Sequence, residues 1–237
     1  RTRDVEMAWA WADHEQPNGD FDVLNMLRPD AAGWAVEGHK RKGESRTALL
    51  LAKEPFGFDG GTRVEVTIAC ESIHLQHVIG RPRVSLGTAQ KALDAFPVVP
   101  SNWFEAGPFT GNFNEAYDKA HGPGEATGVP TDPKVKWKHR PDIQDGVAKA
   151  LGGARRAFYF GRALRTPVPR KLNLSLGSDD AIKVYLNGVE IHANKARRGV
   201  APDQERVALD LQAGENVLVI KIVNDGGPAG VYYRADA

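Results

Sequence analysis

A single cysteine, Cys70, among 237 residues excludes an intrachain disulfide. It lies in the strand-like run from Val64 to Cys70, where a buried, inert thiol is expected. The Cys-x-x-Cys-His pattern that attaches haem is absent, so no haem is expected in this piece. No apolar run is long enough to cross a bilayer as a helix, and no membrane insertion is expected. Lys and Arg total 31 against 30 Asp and Glu, a formal charge of +1. That balance argues against a general polyanion-binding surface and against nucleic acid as a partner, and leaves room only for a local basic patch. Gly-x-Ser-x-Gly, His-Glu-x-x-His and phosphate-loop patterns are all missing. So is the strand–helix alternation that nucleotide-binding folds need. No signal peptide is present, and the chain begins at Arg1 rather than methionine. It is therefore expected to be a piece of a longer protein whose export signal lies upstream.

What is present is turn chemistry and period-two alternation. The 25 Gly and 15 Pro suit a loop-rich β-protein. Leu172, Leu174 and Leu176 alternate with polar residues, which marks a strand with one buried face. Gly177-Ser178-Asp179-Asp180 makes a turn. Ile182, Val184 and Leu186 open the next strand, Asn187-Gly188 is a strong hairpin signal, and Val189 and Ile191 carry the return. Further strands are predicted at Ala157–Leu164, Val207–Leu211, Val217–Val223 and Gly230–Arg234.

The first half reads as five or six short strands. Val5, Met7, Trp9 and Trp11 fall on one face; Thr47–Ala52 forms a buried run; Val64, Val66, Ile68 and Cys70 alternate; Ile73–Gly80 and Arg83–Leu86 follow. Residues 88–102, with two prolines, make the linker. The fold expected is all-β, two tandem antiparallel β-sandwiches, with residues 1–98 in the first and 99–237 in the second.

The segments GSDDAIKVYLNGVEIHANK, LQAGENVLVIKIVNDGG and VYYR resemble the galactose-binding-like jelly-roll modules. These include the sugar-binding sandwiches of glycoside hydrolases and the Asp-Asp adhesin domains that hold sugar through calcium. AWAWADHEQ, Gly33-Trp34 and EPFGFDGGTRVEV resemble discoidin-type sandwiches. Arg28-Pro29 stand where that type usually has Asp-Gly. Together the halves are similar to paired accessory modules of large exported planctomycete-type proteins that join cytochrome c-like domains to other domains. The resemblance implies an exported location (periplasm, cell surface or outside), a polysaccharide or glycan partner, and contacts with other domains of the same longer chain.

Candidate residues follow. A sugar pocket needs an aromatic face and planar polar groups. Trp137, Tyr185, Tyr232 and Tyr233 can supply the first, and Asn187, His192, Asn194 and Arg197 the second. Each aromatic reads first as core, since strand aromatics usually pack, and Tyr232 and Tyr233, being consecutive in a strand, should face opposite ways. Asp179, Asp180, Asn224 and Asp225 lie in turns at strand ends, where they either make turns or hold Ca2+ through oxygen ligands. Asp179 and Asp180 are adjacent, poor geometry for a glycosidase pair, so no catalysis is expected. His74 and His77, three apart in a strand-like run, do not share a face. Lys134, Lys136, Lys138, His139 and Arg140 form a basic run suited to an anionic glycan or simply to water. The sequence reads as a non-catalytic carbohydrate-binding pair, with a structural spacer that binds no small molecule as the alternative.

Overall fold

The computed structural model describes residues 2–17, 19–28, 32–71, 78–88 and 93–236. Among them are thirteen strands, every pairing antiparallel, and one six-residue α-helix, so the fold class is all-β. The chain divides into two units, Arg1–Pro97 and Val98–Ala237.

In the first unit β1 (Met7–Ala12) pairs with β2 (Ala48–Ala52), with an irregularity between Met7 and Trp9. The two tryptophans stay in register with each other but differ in burial. Trp9 is buried edge-on against Phe96, and its indole N–H donates to the Pro97 carbonyl at 3.2 Å. Trp11 is exposed. A 3-10 turn, Val23–Leu27, buries Val23 and Leu24. The alternating run Arg63–Cys70 has no strand partner among the described residues, and Val66, Ile68 and Cys70 are exposed. The expected buried thiol is therefore corrected: with no neighbouring strand among the described residues, Cys70 is exposed. Val84 and Leu86 are likewise exposed and unpaired in strand terms. His74 and His77 lie outside the described residues. Period-two alternation makes a strand only when the backbone finds a hydrogen-bonding neighbour. Among the described residues, this unit has one such pair where a sandwich was expected.

The second unit is a two-sheet sandwich. Its strands are β3 (Val99–Pro100), β4 (Phe104–Thr110), β5 (Lys138–His139), β6 (Lys149–Leu151), β7 (Arg156–Thr166), β8 (Arg170–Asp179), β9 (Ala181–Leu186), β10 (Val189–Asn194), β11 (Glu205–Leu211), β12 (Gly214–Asn224) and β13 (Ala229–Ala235). One sheet runs β10-β9-β12-β7-β4-β5, with β3 also on β7; the other runs β11-β8-β13-β6. Phe158, Phe160, Ile182, Val184, Leu218, Ile220 and Ile222 of the first sheet meet Leu174, Leu176, Val207, Leu209, Val231 and Tyr233 of the second. Each fully buried side chain of this size contributes roughly 1.5–3 kcal/mol.

The larger sheet is also covered on its far face. After β4 the chain makes a long excursion, residues 111–137, that carries helix α1 (Phe113–Asp118). Asn112 caps α1: its side chain accepts from the Glu115 N–H at 3.0 Å, and Glu115 accepts from the Asn112 N–H. Phe113, Ala116, Tyr117 and Val129 pack on Tyr159, Val217, Val219 and Val223. Burial on both faces explains why β7 and β12 read as continuous apolar runs, whereas β11 alternates strictly.

Lys221 sits in the middle of this covered face, fully buried. Its ammonium donates to the carbonyls of Tyr117 and Lys119, both at 2.8 Å, and lies 5.4 Å from the Tyr159 ring centre. It pins the end of α1 to the sheet. Burial pushes its pKa down to about 8, and the positive charge of Lys183 adds to the effect. Below that pH the folded protein carries a buried ammonium, a cost on the order of 3 kcal/mol. Between about 8 and the ordinary 10.5 the unfolded chain holds a proton that the folded one has released, so stability rises with pH there. Lys221→Met should remove that rise. The check is the urea midpoint of both proteins between pH 8 and about 9.5, below the ordinary range of tyrosine ionisation.

Candidate functional site

At one end of the sandwich, β8 passes into β9 through Asp180 alone, and the Asp179–Asp180 peptide is cis. The Asp180 carboxylate ties three segments together. It accepts from the backbone N–H of Arg198 and of Asp225, both at 2.8 Å, while its own N–H donates to the Val223 carbonyl at 3.1 Å. Asp179 is half-buried beside it. Burial, and then the charge of Asp180, push the Asp179 carboxyl above its ordinary value. Asn224 is buried at the adjoining end of β12. Its amide nitrogen donates to the Gly153 and Gly227 carbonyls at 2.8 and 2.9 Å. Its side-chain oxygen is buried and has no hydrogen-bond donor among the described residues. Asp225 is turned to Arg197, with Nε 2.8 Å from Oδ2, and the Arg197 guanidinium lies 4.3 Å over the Phe113 ring. Of the four metal candidates, Asp179, Asp180 and Asn224 keep oxygens at this end and Asp225 is held in an ion pair. Among the described residues no three His, Cys, Asp or Glu side chains gather as a metal cluster. A cation here would draw on Asp179, Asp180, the orphaned Asn224 oxygen and backbone carbonyls, a set that suits calcium rather than zinc.

The expected sugar-binding residues are mostly engaged within the fold. His192 and Asn194 on β10 reach the buried Glu205 of β11, each at 2.7 Å, and Arg198 joins them at 2.6 Å. This group clamps the edge strand of one sheet to the edge strand of the other. Asn187, at positive φ in the hairpin, is exposed, but its amide accepts from the Val217 N–H and donates to Asn216. Beside it Thr127, Glu215 and Val217 complete an open depression of about 280 Å³, at the end of β9 remote from Asp180. Tyr185 is half-buried; a Cβ at Gly124 would lie 2.9 Å from its ring.

The aromatic platform is corrected. Tyr233 is buried edge-on against Trp103, with Arg162 5.5 Å over its ring, and burial pushes its pKa up to about 12. Tyr232 was expected on the opposite, open face, yet it too is only 4% exposed. Glycine is the reason. A Cβ at Gly177 would meet the Ala201 carbonyl at 2.0 Å, and one at Gly230 the Val200 side chain at 2.5 Å, so the segment around Val200–Ala201 lies directly on that face. Trp137 is half-buried in the cover, over Gly161, where a Cβ would lie 2.8 Å from the indole. Arg197 and Asn187 are the two expected ligands that remain exposed.

No protein-family model and no curated protein matches the chain. Among solved structures it is similar to the PA14 domain of the MpAFP antifreeze protein, 13% identical over 58% of this chain and 64% of that one, with a TM-score of 0.27. The PA14 sugar-binding domain from an RTX adhesin is 12% identical over 57% and 71%, with a TM-score of 0.27. A β-glucosidase from Kluyveromyces marxianus in complex with glucose is 13% identical over 57% and 16%, with a TM-score of 0.35. Likenesses this remote carry no weight for function.

Sequence reading missed Glu205, although its signal was present: it is in phase with Val207, Leu209 and Leu211 on the inward face of β11. Burial raises its carboxyl pKa, but the hydrogen bonds from Arg198, Asn194 and His192 outweigh this, and the group sits below the ordinary value of 4.5. Its contribution to stability is therefore complete above 4.5 and is lost as pH falls through the lower, folded value. Glu205→Gln should cost about 1–3 kcal/mol near neutral pH and flatten the acid limb of the stability curve. Urea titrations from neutral pH downward measure both effects.

Proposed function

We propose that the chain is a non-catalytic carbohydrate-binding pair of modules on an exported multidomain protein, and that its second unit recognises a glycan through calcium at the Asp179–Asp180 end. The observation that carries the reading is the buried Asn224 oxygen, without a donor among the described residues, at the strand end whose neighbours Val223 and Asp225 bond Asp180, next in the chain to Asp179. Ionised carboxylates cannot donate to that oxygen. Calcium takes six to eight oxygen ligands, more than these residues supply, and accepts sugar hydroxyls at the remaining positions. Asp180 holds the loops that carry Arg198 and Asp225 in place, and the Arg197–Asp225 pair gives a planar polar rim for further hydroxyls. With Tyr232 and Tyr233 enclosed, ring stacking contributes little; hydrogen bonds and the cation do the recognition. Single-module affinity is modest, and tethering to other domains raises the effective concentration. No bond is broken in this reading. The wider setting, among paired accessory modules of planctomycete-type proteins with cytochrome c-like domains, rests on the sequence resemblance alone.

The burial of both tyrosines and the clamping of His192 and Asn194 favour a second reading, a spacer that contacts only protein. Calcium separates the two. At a hundredfold excess over its Kd, calcium should stabilise the wild type by about 2.7 kcal/mol, seen as a higher Tm. Asp179→Asn should melt higher than wild type without calcium, because a neutral amide relieves first the burial of the charge and then the repulsion from Asp180, and should lose the calcium response. A glycan array run with calcium and with chelator should give chelator-sensitive binding. An unchanged Tm with an empty array would establish the spacer.

A further inference from the structure

On the excursion that covers the larger sheet, exposure alternates residue by residue from Lys134 to His139. Val135, Trp137 and His139 are half-buried, and Val135 and Trp137 pack on the core. Lys134, Lys136 and Lys138 are exposed. The Cα atoms of lysines two residues apart lie within about 7 Å along the chain, so one extended anion can reach all three side chains. The acids nearby are already matched. Glu105, opposite Lys138 in the β4–β5 pairing, bonds Arg140. Asp142 is shared by Arg140 and Lys149, and Arg140 holds its carboxyl far below the usual range. Asp132 accepts from the backbone of Thr127 and Lys134. Among the described residues none of the three ammonium groups forms an ion pair.

Edge protection accounts for only part of this. β5 is the last strand of its sheet, and a lysine there discourages pairing with another chain. Lys138 alone meets that need; Lys134 and Lys136 precede the strand. An anion that spans the three exposed ammonium groups gives each a counter-charge.

We propose that Lys134, Lys136 and Lys138 form a binding track for an acidic polysaccharide, one bearing sulfate or carboxylate groups along its length. The polymer class follows from what the track lacks. The intervening Trp137 is turned onto Gly161, so no aromatic face is offered between the lysines for stacking bases. The chain's charge of +1 gives no long-range field of the kind that nucleic-acid binding uses. The inference rests on the glycan-binding reading for the class of polymer, but not on the calcium site.

The test is binding of a heparin oligosaccharide, in chelator, by wild type and by the triple variant Lys134→Gln, Lys136→Gln, Lys138→Gln. These side chains are exposed, so an unchanged Tm checks the fold. The variant should bind about tenfold or more weakly at low salt, and the dependence of log K on log salt should flatten by up to about three. Equal binding by the two proteins overturns the track. Equal wild-type affinity for a single-stranded DNA of matched length overturns the polymer class. Chelator-resistant heparin binding lost in the triple variant, with no calcium response in the wild type, would leave the track standing and remove the calcium site.

Discussion

The second unit depends on one constraint: β7 and β12, paired over their full length, are buried on both faces. A sheet covered on one side needs a single partner layer; this one needs two. The smaller sheet supplies the first and the excursion 111–137 the second. An irregular segment lying on a sheet brings backbone carbonyls against apolar surface, and each of these needs a donor. Lys221 supplies donors to Tyr117 and Lys119, and the Tyr159 hydroxyl donates to Ala120 at 2.9 Å. Polar groups in the middle of the apolar face thus hold the cover in place.

The same constraint decides what is left for binding. Trp137, the aromatic best placed by sequence to stack on a sugar, is part of the second layer. On the smaller sheet, Gly177 and Gly230 let the segment around Val200–Ala201 lie flat, enclosing Tyr232. The lateral edge between β10 and β11 is closed by Glu205 with His192, Asn194 and Arg198. Faces and edge being occupied, the polar groups that stay within reach of a ligand are at the strand ends and along the outer side of the cover.

Much of this was legible in the residues. Leu172, Leu174 and Leu176 announce β8, Asn187-Gly188 the β9–β10 hairpin, and the run Val217–Val223, apolar but for Lys221, the strand β12. Lys221 and Glu205 were legible in principle, since both sit in phase with buried neighbours. What alternation does not carry is the identity of the neighbour. Val64 to Cys70 alternates as cleanly as β8, yet among the described residues it has no strand beside it. Nor does residue type say whether an amide is already bonded: His192, Asn194 and Asn187 were reasonable ligands whose partners lie 11 to 30 positions away in sequence.

Asn187 and Asn224 make that last point in one comparison. Both stand at the ends of paired strands, β9 and β12, and both use their amide nitrogen within the fold. Asn187 also accepts a backbone N–H through its oxygen, so its amide is satisfied where it stands. Asn224 has no donor among the described residues for its buried oxygen, and a buried acceptor left in that state costs about 1–3 kcal/mol. It is flanked along the chain by Val223 and Asp225, which both bond Asp180, so the unsatisfied oxygen and the two carboxylates belong to one strand end. Burial and the neighbouring charge already push the Asp179 carboxyl up. A positive charge at that end would offset the cost at Asp179 and give the Asn224 oxygen a partner.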